Sequence, residues 1–127
     1  MINRWTGTGR LVRDPDHRFT SNGTPVTNFT IAVERSYKKK NGEKEVDYIK
    51  IVTWRKLAEI CAEHLNKGRM VAVDGSLQIR KSKKDDRTYI NPEIVADNVH
   101  FFGGKKEGGE NEKINDDEFD DDFDIPF

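Results

Sequence analysis

Residues 45–65 read EVDYIKIVTWRKLAEICAEHL, and the hydrophobic period changes inside this stretch. Up to Trp54 the side chains alternate as in a β-strand, whereas beyond it apolar residues recur at helical spacing until Gly68 stops the pattern. The stretch therefore predicts a strand that runs directly into a helix over residues 55–66. One strand face carries Tyr48, Lys50, Val52 and Trp54, and the helix positions expected to face the core are Leu57, Ile60, Cys61 and Leu65.

Period-two alternation also marks residues 29–34, 71–79 and 88–102, with a weaker first strand over 3–12. Pro92 interrupts the last run, which favours an edge position or a bulge there. Asn22-Gly23, Asn41-Gly42 and the polar residues 82–87 predict hairpin tips. Four or five strands, with one helix between the third and the fourth, indicate a mainly β protein built as a small closed barrel.

Composition limits the class of protein. The chain has 127 residues, 34% of them hydrophobic and 35% charged, which suits one modest domain. No run approaches the roughly 20 apolar residues of a membrane helix, and the start lacks a secretory signal. The single cysteine, Cys61, excludes an internal disulfide framework and is too little for a structural zinc site. We expect a soluble cytoplasmic protein.

The formal net charge of -1 conceals a strong asymmetry. Residues 1–106 hold 21 Lys and Arg against 13 Asp and Glu, whereas residues 107–127 hold one Lys against 10 acids. A composition break at Gly103-Gly104 separates these parts. We therefore expect a basic domain over residues 1–103, a flexible linker over 104–115 and a disordered acidic tip over 116–127.

Catalysis finds no support in the residues. The three histidines lie in different predicted elements, and no nucleophile elbow or phosphate-binding loop occurs. A metal-dependent nuclease stays open as a rival, and it would need clustered acids in the body, such as Asp74, Glu93 and Asp97. Because these acids show no evident convergence, we expect no enzyme activity, no metal site and no cofactor.

Basic and aromatic residues are interleaved in two parts of the body. Between Arg35 and Lys56 eight cations accompany Tyr37, Tyr48 and Trp54, and a second basic cluster occupies residues 80–87. Cations neutralise phosphates and flat aromatics stack on unpaired bases, so the pattern predicts nucleic-acid binding, the alternative being an ordinary solvated edge. The residues expected to contact phosphate are Arg35, Lys38, Lys50, Lys56, Arg80, Lys81, Lys83 and Lys84.

The last residues combine acids with exposed apolar side chains. Such a peptide suits docking into an apolar pocket rimmed by Lys or Arg on another protein, although acidic tails also serve as solubilisers. The predicted docking residues are Asp120, Asp121, Asp122, Phe123, Asp124, Ile125, Pro126 and Phe127.

These motifs together resemble the bacterial and phage single-stranded DNA-binding proteins, which are built on an oligonucleotide-binding (OB) barrel. The likeness rests on the terminal DDDFDIPF and on the ordered stretches GRLVRDP (9–15), NGTPV (22–26), WRKLAE (54–59) and DGSLQ (74–78). It implies a five-stranded OB fold that covers single-stranded DNA in replication, recombination and repair. It also implies a homotetramer and recruitment of partner proteins through the acidic tip.

The resemblance assigns base stacking to Tyr37, Tyr48 and Trp54. Ser82 stands where the family carries a further aromatic, so one stacking platform is expected to be lost. Trp5 departs from the aliphatic alternation of the family's first strand, and we expect it in the core or at a protomer contact, rather than at a base. An RNA-binding OB protein of cold-shock type is the alternative function, although it gives no reason for the terminal peptide.

Overall fold

The computed structural model describes residues 1–102, apart from the side chain of Lys38. Within this range the single helix is too short and too polar to cross a membrane. The linker predicted at 104–115 and the tip predicted at 116–127 lie outside the described residues. The elements are β1 (Trp5–Leu11), β2 (Asp16–Phe19), β3 (Pro25–Lys38), β4 (Lys44–Trp54), α1 (Arg55–His64), β5 (Met70–Lys84) and β6 (Arg87–Phe102).

The sheet closes on itself. Its strands follow the order β1-β5-β6-β4-β3-β2, and β1 also pairs with β3 through Arg10↔Ala32 and Leu11↔Ile31. All pairings are antiparallel except that of β4 with β6, whose registered partners are Ile51↔Ile94 and Val52↔Val95. Five strands therefore form the closed barrel predicted from the sequence, and the short β2 extends one edge.

The barrel interior is apolar and α1 covers one of its openings. Ile31, Ile51 and Val71 are fully buried, and α1 contributes Cys61 and Leu65 to the same cluster. Burial raises the pKa of the Cys61 thiol to about 12, as expected for a structural rather than a reactive cysteine.

Two buried threonines join the helix to β3 and β3 to β4. The Thr27 hydroxyl donates to the Ala58 carbonyl at 2.7 Å, and the Thr53 hydroxyl donates to the Thr27 carbonyl at 2.9 Å. Both threonines are completely buried, so each hydroxyl needs the partner it has. The His17 ring Nδ1 lies 2.7 Å from the Thr27 hydroxyl and ties β2 to the same network.

The helix was predicted in the right place but with one wrong face assignment. It ends at His64 instead of residue 66, and Ile60, expected in the core, is 36% exposed. Ala58 occupies the buried position instead, because the Thr27 hydroxyl draws the Ala58 turn against β3. The strand β2 was not predicted at all, since its four residues are exposed and carry no alternation.

Two hairpins extend beyond the barrel as arms. We call them the β3–β4 arm (residues 34–47) and the β5–β6 arm (residues 77–92). The β5–β6 arm turns through Asp85 and Asp86 with φ of 52° and 62°, values that suit a two-residue hairpin turn. At Pro92 the strand lies beyond the β4 partners Ile94 and Val95 and pairs with Ile79 of β5, which confirms the predicted edge position.

Trp5 and Gly75 show how closely the barrel strands approach one another. Trp5 packs against the core cluster, as one of its two predicted roles required. Gly75 lies at a bulge between β5 and β6, where an added Cβ would collide with the Val95 carbonyl oxygen and lie 2.8 Å from Ala96 Cα. Both obstacles are backbone atoms that cannot turn away.

We therefore expect Gly75→Ala to lower the free energy of unfolding by about 1–3 kcal/mol, because the strands must separate to admit the methyl group. Urea denaturation followed by circular dichroism measures the change. The neighbouring Ser76→Ala variant adds no atom and should stay within about 0.5 kcal/mol of the parent. Equal midpoints for both variants would show that the bulge tolerates a side chain.

Candidate nucleic-acid interface

One face of β4 presents aromatic and basic side chains side by side. Tyr48 is 68% exposed, the Lys50 side chain is about half exposed, and Trp54 is half-buried at the strand's end. Val52, between Lys50 and Trp54, is buried. The β3–β4 register is continuous from Val26 to Glu34 and confirms that these four residues share a face. The residues of β3 opposite them are small or medium in size: Ala32, Thr30, Asn28 and Val26.

Tyr37 and Arg35 belong to a different cluster on the β3–β4 arm. The Arg35 guanidinium donates to both Asp47 carboxylate oxygens at 3.0 Å, to Glu45 at 2.8 Å and to the Tyr37 hydroxyl at 3.0 Å. Asp47 precedes Tyr48 and so points to the opposite strand face. The hydrogen bond from Arg35 lowers the pKa of Asp47, and the hydrogen bond to Asp47 raises that of Arg35.

Arg35 was predicted to contact phosphate, yet the structure satisfies its guanidinium with two carboxylates. Tyr37 is 58% exposed but lies with Arg35, not with Tyr48. Lysines near the arm's end also meet acids: Lys44 lies 3.2 Å from Glu34 and Lys39 lies 3.4 Å from Glu45. Exposed pairs of this kind contribute about 0–1 kcal/mol, so they orient the cations more than they stabilise the arm.

The β5–β6 arm carries the densest positive charge. Every residue from Leu77 to Pro92 is exposed. By alternation, Arg80 and Lys84 lie on one face of the arm and Lys81 and Lys83 on the other, so cations line both faces. Lys56, the remaining predicted phosphate contact, is exposed in the first turn of α1.

A buried carboxylate joins the two basic regions. Glu93 of β6 is only 3% exposed and accepts a hydrogen bond from the Arg80 guanidinium at 2.5 Å. Its other oxygen lies 3.8 Å from the Lys50 ammonium group. Two predicted phosphate contacts, one on β4 and one on the β5–β6 arm, are thereby held at a single point. Sequence reasoning missed this role, because only the register of β4, β5 and β6 brings the three residues together.

The same contacts bear on the rival metal site. Glu93 is occupied by Arg80 and Lys50, and Asp74 lies 2.6 Å from the Arg4 guanidinium. Across residues 1–102 no group of three His, Cys, Asp or Glu side chains could hold a metal ion. The docking residues predicted at 120–127 fall outside the described part of the chain.

Glu93→Gln should lower the free energy of unfolding by about 1–3 kcal/mol, because the buried carboxylate that pairs with Arg80 and Lys50 is replaced by an uncharged amide. Urea denaturation of the full chain gives the value. Glu34→Gln removes an exposed partner of Lys44 and is the matched control, with an expected change below about 1 kcal/mol. If both variants unfold like the parent, Glu93 does not hold the arm.

Comparison with known proteins shows the family of the chain. The chain is 48% identical over 134 residues to a single-stranded DNA-binding protein of Caldanaerobacter subterraneus, an alignment that covers 99% of this chain and 89% of the relative. It is 46% identical over 112 residues to one from Oceanobacillus iheyensis (87% and 70% covered). It is 42% identical over 119 residues to single-stranded DNA-binding protein A of Bacillus subtilis (88% and 69% covered). Residues 2–102 match the model of the single-strand binding protein family, and the chain belongs to that family.

Proposed function

We propose that this protein binds single-stranded DNA without sequence preference. The observation that carries the proposal is the shared β4 face, on which Tyr48, Lys50 and Trp54 lie next to the Arg80 end of the β5–β6 arm. Family membership supports the same ligand. The arrangement offers ring faces and cations, the two features that an unpaired strand needs.

The residues divide the work by chemistry. Tyr48 and Trp54 stack on bases, and since every base has a flat face this contact does not select a sequence. Lys50, Lys56, Arg80 and the arm lysines Lys81, Lys83 and Lys84 meet phosphates and release counterions, so affinity falls as salt rises. Tyr37 provides a third ring at the β3–β4 arm, and Lys38 lies beside it in sequence. Arg35 contacts phosphate only by sharing its guanidinium with Asp47 and Glu45.

Duplex DNA should bind weakly, because its bases are already stacked and cannot reach the rings. A fluorescence titration with oligo-dT, duplex DNA and oligo-U at two salt concentrations tests the proposal. Strong quenching by oligo-dT that weakens with salt supports it. Equal preference for oligo-U favours the RNA-binding alternative.

We propose further that the protein acts in the cytoplasm as a homotetramer during replication, recombination and repair. In this proposal residues 120–127 dock on partner proteins, with Phe123, Ile125 and Phe127 entering an apolar pocket and the acids meeting its basic rim. The supporting features are the family, the terminal sequence and the charge contrast between residues 1–106 and 107–127.

Trp54→Ala should weaken oligo-dT binding about ten- to a hundredfold, since base stacking in proteins of this kind is worth about 1–3 kcal/mol per base. Trp54→Phe keeps a ring and should lose only a few-fold. Anisotropy of labelled oligo-dT measures both, and urea denaturation confirms that each variant is folded. Parent-like affinity of the alanine variant would remove Trp54 from the site.

Deletion of residues 107–127 should raise oligo-dT affinity at low salt and change it little at high salt. The tail carries one Lys against 10 acids and competes with DNA for the basic body at high effective concentration. The control is a full-length chain with Phe123, Ile125 and Phe127 all changed to alanine, which keeps the charge and should bind DNA like the parent. Unchanged low-salt affinity after truncation contradicts the competition.

A further inference from the structure

The β5–β6 arm has an exposed aromatic side chain, Tyr89, that has no role in the proposed stacking by Tyr37, Tyr48 and Trp54. Tyr89 of β6 is 44% exposed and lies outside the hydrophobic core. Its registered partner across the arm is Ser82 of β5. Directly opposed residues face the same side of a two-stranded ribbon, and a serine is too small to cover a tyrosine ring. One face of the Tyr89 ring is therefore open to a planar ligand.

The surroundings of Tyr89 are basic. On the same face its diagonal neighbours across the arm are Arg80 and Lys84, and Arg87 and Asn91 lie two positions away along its own strand. Diagonal neighbours are about 7–8 Å apart, within reach of long side chains. A ring between cations is the combination that binds a base together with the phosphates on either side of it.

The face that holds Tyr89 is continuous with the aromatic face of β4. Residues 89, 91 and 93 alternate onto one side of β6, since the β5–β6 register is unbroken between Thr88 and Ala96. Glu93 on this side contacts Arg80 of the arm and Lys50 of β4, and Lys50 shares its face with Tyr48. Tyr89 lies four residues from Glu93, about 13 Å along the strand. A single strand of DNA bound at Tyr48 could therefore run past Lys50 and Arg80 and reach Tyr89.

We propose that Tyr89 is a base-stacking residue that extends the single-stranded DNA site along the β5–β6 arm. The inference rests on the proposed function. It also bears on Ser82, where the resemblance leads us to expect an aromatic residue. Tyr89, directly opposite Ser82 on β6, supplies a ring on the same face of the arm. The ligand is an unpaired base of any identity, held by the ring and by flanking phosphate contacts from Arg80 and Lys84.

Affinity for oligo-dT long enough to reach the arm is the first test. Tyr89→Leu should weaken binding about tenfold, whereas Tyr89→Phe should stay within about threefold because the ring is kept. Thr88→Leu is the matched control, since Thr88 is the adjacent residue on the opposite face of the arm, paired with Lys83, and it should bind like the parent. Parent-like affinity of Tyr89→Leu overturns the inference, as does equal weakening by Tyr89→Phe.

A reporter variant keeps the test independent of affinity. Tyr89→Trp adds a third tryptophan, and its emission should be quenched by oligo-dT beyond the change seen in the parent. Glu63→Trp is the control, since Glu63 is exposed near the end of α1 and belongs to neither arm, and it should add no quenching. Quenching at both positions, or at neither, overturns the assignment of Tyr89.

The two proposals fail in different ways. A parent chain that does not bind oligo-dT rejects the proposed function and this inference with it. The inference alone is rejected if the parent binds oligo-dT, Trp54→Ala weakens the binding and Tyr89→Leu leaves it unchanged.

Discussion

The parallel contact between β4 and β6 is the constraint on which the site depends. Ile51 and Val52 pair with Ile94 and Val95, and all but Val95 are buried, with Ile51 completely so. Parallel pairing requires a crossover, which α1 and β5 supply between the two strands. This short ladder places Lys50 of β4 beside Glu93 of β6, and through Glu93 beside Arg80 of β5. Without it the β3–β4 and β5–β6 ribbons would be joined only through β1, and the proposed site would lose the contact of Glu93 with both Lys50 and Arg80.

The two arms differ in how many of their cations form ion pairs. On the β3–β4 arm Arg35, Lys39 and Lys44 all face carboxylates within the arm. On the β5–β6 arm, among residues 1–102, the ion pairs involve Arg80 and leave out Lys81, Lys83 and Lys84. Exposed ion pairs contribute about 0–1 kcal/mol, so a phosphate that replaces a carboxylate loses little free energy. A lysine outside any ion pair binds phosphate without this loss. In the proposed site the β5–β6 arm is therefore expected to make the stronger electrostatic contact with DNA.

Sequence periodicity predicted the barrel well because its strands have one solvent-exposed face and one buried face. Tyr48, Lys50 and Trp54 could be placed on one surface by alternation alone, since β4 pairs with β3 without a register shift from Val46 to Trp54. The same reasoning missed β2, because all of its residues are exposed. It also placed Ile60 in the core, because the sequence does not reveal the hydrogen bond from the Thr27 hydroxyl to the Ala58 carbonyl that accompanies burial of Ala58. The surroundings of Glu93 and Tyr89 were not predicted, because each depends on residues of another strand. The register between strands that are distant in sequence cannot be derived from the hydrophobic period of either strand.

The separation between core and site decides how substitutions act. Tyr48, Tyr89 and the lysines of the β5–β6 arm lie outside the core cluster, so their replacement should have little effect on the fold. Trp54 is different, because it is half-buried at the junction of β4 and α1 and belongs to both. Glu93 is also shared, since it is buried yet touches two cations of the binding face. If the proposed site is correct, substitutions at these two positions change stability and DNA affinity together, whereas substitutions along the arms change affinity without disturbing the barrel.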